Sequence, residues 1–204
     1  VERADEIPAG PVIVLALPVG GDQENDRRYP IAVLAEGYHG LLISPSTRLP
    51  GLVSVVDIVP TALASDDRGL SSTSSGDPVS ELAELDQRIA DNASARAMGA
   101  LIAGLLILVL AAIRPRAGLL AIATTLLANL GLGVAEISEP WLVWLVLGLA
   151  AGVAAPLIAA EPRSPRTVGL ALAATIAAYL LVLALDPAAI ALSPLGSTQV
   201  SRFY

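Results

Sequence analysis

The sequence predicts two parts of different class: an α/β remnant, a partial sheet, followed by an all-α four-helix transmembrane bundle. Three observations lead there. The 204 residues are 54% hydrophobic with a mean hydropathy of +0.69, too apolar for an ordinary soluble domain. Charge is lopsided: residues 1–96 carry 15 Asp/Glu and 7 Arg, net −8, whereas 97–204 carry 4 acids and 5 Arg, net +1. After residue 96, apolar segments of about twenty residues recur with no charge in their interiors.

The front part, 1–64, is expected to be the C-terminal part of an extracytoplasmic α/β domain. "PVIVLAL", 11–17, is a short Val/Ile-rich run bounded by turn residues, which favours a buried strand over a helix. "IAVLA", 31–35, reads as a second strand, "LLI", 41–43, as a third, and "LVSVV", 52–56, as a fourth. Asp57 is placed to cap a short helix over 58–64, with Pro60 in its first turn, where proline is tolerated. Strands this short make a small core, so the expectation is a larger sheet completed by upstream chain.

Residues 65–78, "SDDRGLSSTSSGDP", read as a Ser/Gly/Asp-rich linker. Residues 79–96 read as an amphipathic juxtamembrane helix: Val79, Leu82, Leu85 and Ile89 recur at spacings of three and four, Ser80 is the expected N-cap, and Glu81 and Glu84 suit the positive helix end. "NAS" at 92–94 matches a glycosylation sequon, but its closeness to the membrane and the bacterial composition argue against modification.

Four spans are expected, at 97–113, 117–135, 141–160 and 167–185. A helix rising 1.5 Å per residue crosses a core of roughly 30 Å in about 20 residues, and in lipid only a helix satisfies its own backbone. The connectors set orientation. "RPR", 114–116, and "EPRSPR", 161–166, hold four Arg and one Glu, whereas "EISEP", 136–140, holds two Glu and no base. The positive-inside rule places 114–116 and 161–166 in the cytoplasm and residues 1–96, the 136–140 loop and the segment 186–204 outside. Arg96, at the outer edge of the first span, is expected to snorkel towards headgroups, and Trp141 and Trp144 to anchor the third. The start at Val1 and the close on "STQVSRFY" lead to the expectation of a piece of a longer polypeptide. Arginine supplies every basic residue, which with the abundant Ala, Leu and Val suggests a GC-rich bacterial genome.

Composition also excludes classes. The absence of Cys removes disulfides, thiolate catalysis and Cys-zinc sites. The acidic front half lacks the basic footprint of nucleic-acid binding. The expected partners are the lipid bilayer and the upstream and downstream parts of the same chain.

"GLLISPSTRLPGLVSVVDIVPTALA", 40–64, is the most specific stretch. Gly40, Leu41, Leu42, Ser44, Ser46, Thr47, Arg48, Pro50, Gly51, Leu52, Val53, Asp57, Ile58, Pro60 and Thr61 form a pattern that resembles the C-terminal part of alkaline-phosphatase-like ectodomains in certain bacterial multi-pass membrane proteins. The likeness covers roughly 10–65, includes the preceding "YPIAVLAEGY", and is supported by the spans that follow and by the closing "SRFY". It implies a superfamily in which a metal-bound site handles phosphate or sulfate esters. The nucleophile and most metal ligands of that superfamily lie earlier than this segment. No catalytic, cofactor-binding or metal residue is therefore assigned here, and a divalent metal is implied only for the full-length protein.

Each residue that invites chemistry has a plainer reading. Asp57 lacks converging ligands and reads more simply as a helix cap; His39, the only histidine, stands alone in a Gly-flanked loop. Arg48 beside Ser46 and Thr47 suits an anion, but a turn fixed by side-chain hydrogen bonds is the simpler account. Gly20-Gly21 lacks the spacing of a phosphate loop, and Asp22, Glu24 and Asp26 lack the Gly and distal Glu of a calcium hand. In the spans, Thr124, Thr125 and Asn129 share part of one helix and Thr175 and Tyr179 a face of another, which suits hydrogen bonding between helices. Gly148 and Gly152 form a close-packing pair, and Pro156 is a kink site. No acid or base lies within a span to mark an ion path. The expectation is thus a piece of an alkaline-phosphatase-like membrane protein that does not itself catalyse. The alternatives are an envelope scaffold or binding protein with a degenerate ectodomain, or, less favoured, a transporter component.

Overall fold

The computed structural model describes residues 11–16, 28–63, 69–159 and 165–196. They fall into two units, 11–86 and 87–196.

In the first unit, β1 (Val12–Leu15) pairs antiparallel with β2 (Ile31–Leu34), Val12 opposite Leu34. A separate ribbon pairs β3 (Leu41–Ile43) with β4 (Ser71–Thr73), Leu41 opposite Thr73. The first three strands lie where the sequence placed them, but β1 and β2 are not the buried strands expected: Val14, Leu15 and Leu34 are exposed. The expected fourth strand does not form: 52–56 is irregular chain entering a single 3-10 turn, Val55–Asp57, which runs into α1 (Ile58–Ala62). The physical reason is local. The Thr47 hydroxyl donates to the Leu52 carbonyl at 2.6 Å, and the Ser54 N–H donates to Ser44 Oγ at 3.3 Å. Side chains thus satisfy backbone groups that a ladder would otherwise claim, and Val55 and Val56 are each 63% exposed.

The real fourth strand lies inside the stretch expected to be linker, where Ser71–Thr73 supplies the edge that β3 needs. Gly40 permits this pairing: its φ of +74° suits glycine, and a Cβ there would collide with the Thr73 carbonyl and lie 2.7 Å from the Ser75 nitrogen. Among the described residues of the unit, Leu41, Leu49, Leu52 and Leu70 are the buried hydrophobic ones. Leu82 and Leu85 close over Gly51, where a Cβ would stand 2.7 and 3.3 Å from their Cδ2 atoms.

Residues 78–113 form one helix, α2 (Pro78–Ile113), so the expected juxtamembrane helix and first span are a single element. At 1.5 Å per residue its 36 residues extend about 54 Å. Its cap is Asp77 rather than Ser80: Asp77 Oδ1 accepts from the Ser80 N–H at 3.2 Å, with Pro78 in the first turn.

The second unit adds α3 (Pro115–Val134), α4 (Pro140–Ala159), α5 (Pro165–Leu185) and the short α6 (Pro187–Ala191). Every helix from α2 onward begins with proline, which fixes φ and gives up an N–H that the first turn leaves unpaired anyway. α3 packs against both α4 and α5. Ala95 and Ala103 of α2, Leu132 of α3 and Val143 and Leu147 of α4 form one buried cluster; Leu120, Ala121 and Val168 form another. α2, α3 and α5 are long and apolar enough to cross a membrane. The expected span 141–160 corresponds to α4, whose described side chains give a shorter apolar stretch, Pro140–Val153. The most apolar window of α3 is 56% buried, whereas those of α2 and α5 are each 11% buried, leaving Leu101, Leu105, Leu108, Leu170, Leu180 and Leu181 exposed.

Candidate functional site

Two polar centres organise the described residues, one in each unit. In the first, Asp57 stands at the N-terminal position of α1 but does not cap it with its side chain. Asp57 Oδ2 accepts from the Ser44 hydroxyl and, at 3.1 Å, from the Ser46 N–H, while Oδ1 accepts from Ser46 Oγ at 2.9 Å. Asp57 is only 6% exposed, and Ser44 is fully buried. Burial disfavours the charged form, but the bonds from Ser44 and Ser46 outweigh it and hold Asp57 below the usual carboxylate range. The helix-cap reading of Asp57 is thereby corrected: the carboxylate pins the 44–46 turn, and its backbone carbonyl accepts from Thr61 Oγ1 at 2.7 Å.

Thr61 Oγ1 in turn accepts from the Leu70 N–H, also at 2.7 Å, which ties α1 to the approach of β4. Thr47 fixes its turn as the sequence suggested, and Arg48 sits exposed at φ 57° with its N–H on the Ser44 carbonyl at 2.8 Å. His39 is exposed, and its backbone N–H donates to Ser72 Oγ at 3.1 Å. Among the described residues no group of three His, Cys, Asp or Glu is placed to hold a metal. Gly20-Gly21, Asp22, Glu24 and Asp26 lie outside the described residues, as do Arg163 and the closing 201–204, and the Pro156 side chain is not described.

The second centre is a clasp at one end of the helical unit. There the turn after α6 is gripped by side chains from two long helices. From α2, Asn92 Nδ2 donates to the Leu192 carbonyl at 2.7 Å and Arg96 Nε to the Pro194 carbonyl at 3.1 Å. From α3, Asn129 Oδ1 accepts from the Leu195 N–H at 2.8 Å, and its Nδ2 donates to Ser193 Oγ and Tyr179 Oη, each at 3.1 Å. Asp186 caps α6 through the Ala189 N–H at 3.1 Å. Gly133 lets α6 come close, since a Cβ there would run into the Ala189 carbonyl. Arg88 Nη2 donates to the Gly133 carbonyl at 2.8 Å and Nη1 pairs with Glu136 at 3.1 Å. Glu136 holds a φ of 58° where the chain leaves α3, and the following Ile137 N–H closes on the Leu132 carbonyl at 3.0 Å.

The sequence identified Asn129 and Tyr179 as polar residues on separate helices; the structure joins them. Tyr179 also donates to the Leu126 carbonyl at 2.9 Å. Thr124 reaches across to the Ala150 carbonyl of α4 at 2.7 Å, and Thr175 turns back to its own helix at Ala171. Thr125 Oγ1 and Asn92 Oδ1 are buried without a partner. Gly148 meets Ile102 of α2, whereas nothing crowds Gly152. Asn92, Ser193 and Arg88 escaped the sequence reading. The only signal was "NAS", which reads as a sequon, yet Asn92 is 4% exposed and its amide is committed to Leu192.

No family model matches the chain, and no curated protein or solved structure matches it significantly.

Proposed function

We propose that this chain is the membrane-anchoring portion of a bacterial inner-membrane protein with an alkaline-phosphatase-like extracytoplasmic domain, and that its own role is structural rather than catalytic. The single observation that carries the membrane reading is the outward apolar surface of α2 and α5, where large side chains face away from the protein over helices of spanning length. The family assignment rests on the pattern at 40–64, and the four-span count adds α4 to the three longer apolar helices. The closed Ser44–Ser46–Asp57 hub favours a second reading, a scaffold or binding protein with a degenerate ectodomain, because it uses the segment's one buried carboxylate for folding.

The cysteine-free chain makes the topology directly testable. Ser138→Cys and Ser164→Cys leave every charge in place. In intact cells an impermeant thiol reagent should label the first and reach the second only after permeabilisation. The opposite pattern would invert the topology and remove the extracytoplasmic placement of the front unit.

A further inference from the structure

The clasp contains two buried polar atoms of opposite kind. Arg88 and Asn92 are four residues apart on α2, which at 3.6 residues per turn puts them about 40° apart round the axis, on one face. Both reach the same junction. Arg88 bonds the Gly133 carbonyl and Asn92 the Leu192 carbonyl, and a Cβ on Gly133 would stand 3.0 Å from that of Ser193, the residue after Leu192. Asn92 is 4% exposed and the Arg88 side chain 13%. The other polar edges of the pair are committed. Arg88 Nη2 serves Gly133 and Nη1 serves Glu136, which leaves Nε. Asn92 Nδ2 donates to the Leu192 carbonyl, and this fixes the amide, since a flip would set oxygen against oxygen. Arg88 Nε and Asn92 Oδ1 are buried, and among the described residues neither has a hydrogen-bond partner. The third such atom, Thr125 Oγ1, differs, because rotating its side chain brings a carbonyl of its own helix within reach.

A buried donor on a charged group and a buried amide oxygen are both costly to leave unmet. The pair calls for one molecule that accepts from Nε–H and donates to Oδ1. An anion is repelled by the amide oxygen and a metal ion by the guanidinium. A neutral molecule with a lone pair and an O–H, small enough for a packed interior, is water. We propose that a buried water bridges Arg88 Nε and Asn92 Oδ1, so that α2 meets the turn after α6 through an ordered solvent molecule as well as through direct bonds. The bridge goes beyond the membrane reading and does not depend on it.

The test uses the full chain, isotope-labelled, in neutral detergent micelles. It reads magnetisation transfer from water to the Arg88 Nε–H and the Asn92 side-chain amide by nuclear magnetic resonance. Transfer in the rotating frame has one sign for a dipolar contact with held water and the opposite sign for proton exchange. Wild-type protein should show the dipolar sign at both groups. Asn92→Leu removes the acceptor and should abolish the signal at Arg88. Ser193→Ala removes the clasp hydroxyl as a competing source and should leave the signal in place. Absence of dipolar transfer at Arg88 in the wild type, which needs no variant, would overturn the proposal. So would a signal that persists in a folded Asn92→Leu chain, which would assign it to water held by Arg88 alone. Loss of the signal in a folded Ser193→Ala chain would assign it to the hydroxyl and overturn the bridge as well.

Discussion

Replacing Asp57 by alanine tests the hub of the first unit most directly. The change removes the acceptor for three donors: the Ser44 hydroxyl, the Ser46 hydroxyl and the Ser46 N–H. Ser46 is exposed and recovers water, whereas Ser44 is 0% exposed and keeps an unsatisfied hydroxyl. A hydrogen bond to a charged group is worth about 1.5–3 kcal/mol and a stranded buried donor costs about 1–3 kcal/mol; because the terms overlap, the expected loss is about 2–4 kcal/mol. Asp57→Asn should lose only about 1 kcal/mol, since its oxygen still serves Ser44 and the Ser46 N–H while Ser46 Oγ turns to accept from the new amide.

Hydrogen exchange of the 41–57 amides in the full chain reads this directly. A loss of about 3 kcal/mol accelerates exchange by roughly two orders of magnitude. Exchange in Asp57→Ala that matched the wild type, or an Asn variant as damaged as the Ala variant, would refute the reasoning. The pH dependence follows from the same bonds. A carboxylate held below its unfolded value of about 3.9 adds stability that is fully present above that value. The contribution is lost as pH falls through the lower folded value. Unfolding of the wild-type unit should therefore ease below about pH 3.9, and Asp57→Asn should lack this component.

Two other substitutions probe close approaches and the clasp. Gly40→Ala forces a Cβ onto the Thr73 carbonyl at a φ of +74°, so exchange at β3 and β4 should rise by a factor comparable to that in Asp57→Ala while the helical unit is unaffected; protection equal to wild type would refute that account. Asn129→Leu removes the grip on Ser193, Leu195 and Tyr179, at about 0.6–2 kcal/mol per bond, and should expose the 192–196 turn to protease with α3 intact; an equally resistant turn would show that Asn92 and Arg96 suffice.

What the sequence made legible follows from the range of the interactions. The long uncharged stretches announce themselves by length, but the proline that opens each of α2 through α5 lies one or two residues before the start the sequence reading set, and α6 was not expected. β1 to β3 were legible because short Val/Ile/Leu runs between turn residues have few other uses. The same logic failed at 52–56, where valines suggested a strand but Ser44 and Thr47 had already engaged the backbone. It failed again at 71–73, a Ser/Thr run whose strand character comes from its partner Leu41–Ile43 and not from its own composition. The clasp was the least legible feature. Asn92 and Leu192 are a hundred residues apart, and no local pattern links a helix amide to a carbonyl at that separation. Asn129 could be named as helix-bridging material, but its partners could not.

Arg114 alone separates α2 from α3, and Asp186 alone separates α5 from α6. A one-residue joint leaves little slack, so the end of one helix closely restricts where the next can start. Lengthening the joint at Arg114 would uncouple the two and let Leu120 and Ala121 slide off Ile107 and Leu110. Removing Pro115, by contrast, would invite both helices to fuse into a single rod. The turn between the first two apolar helices is thus set jointly by the short joint, its proline and the packing of Leu120 and Ala121 on Ile107 and Leu110.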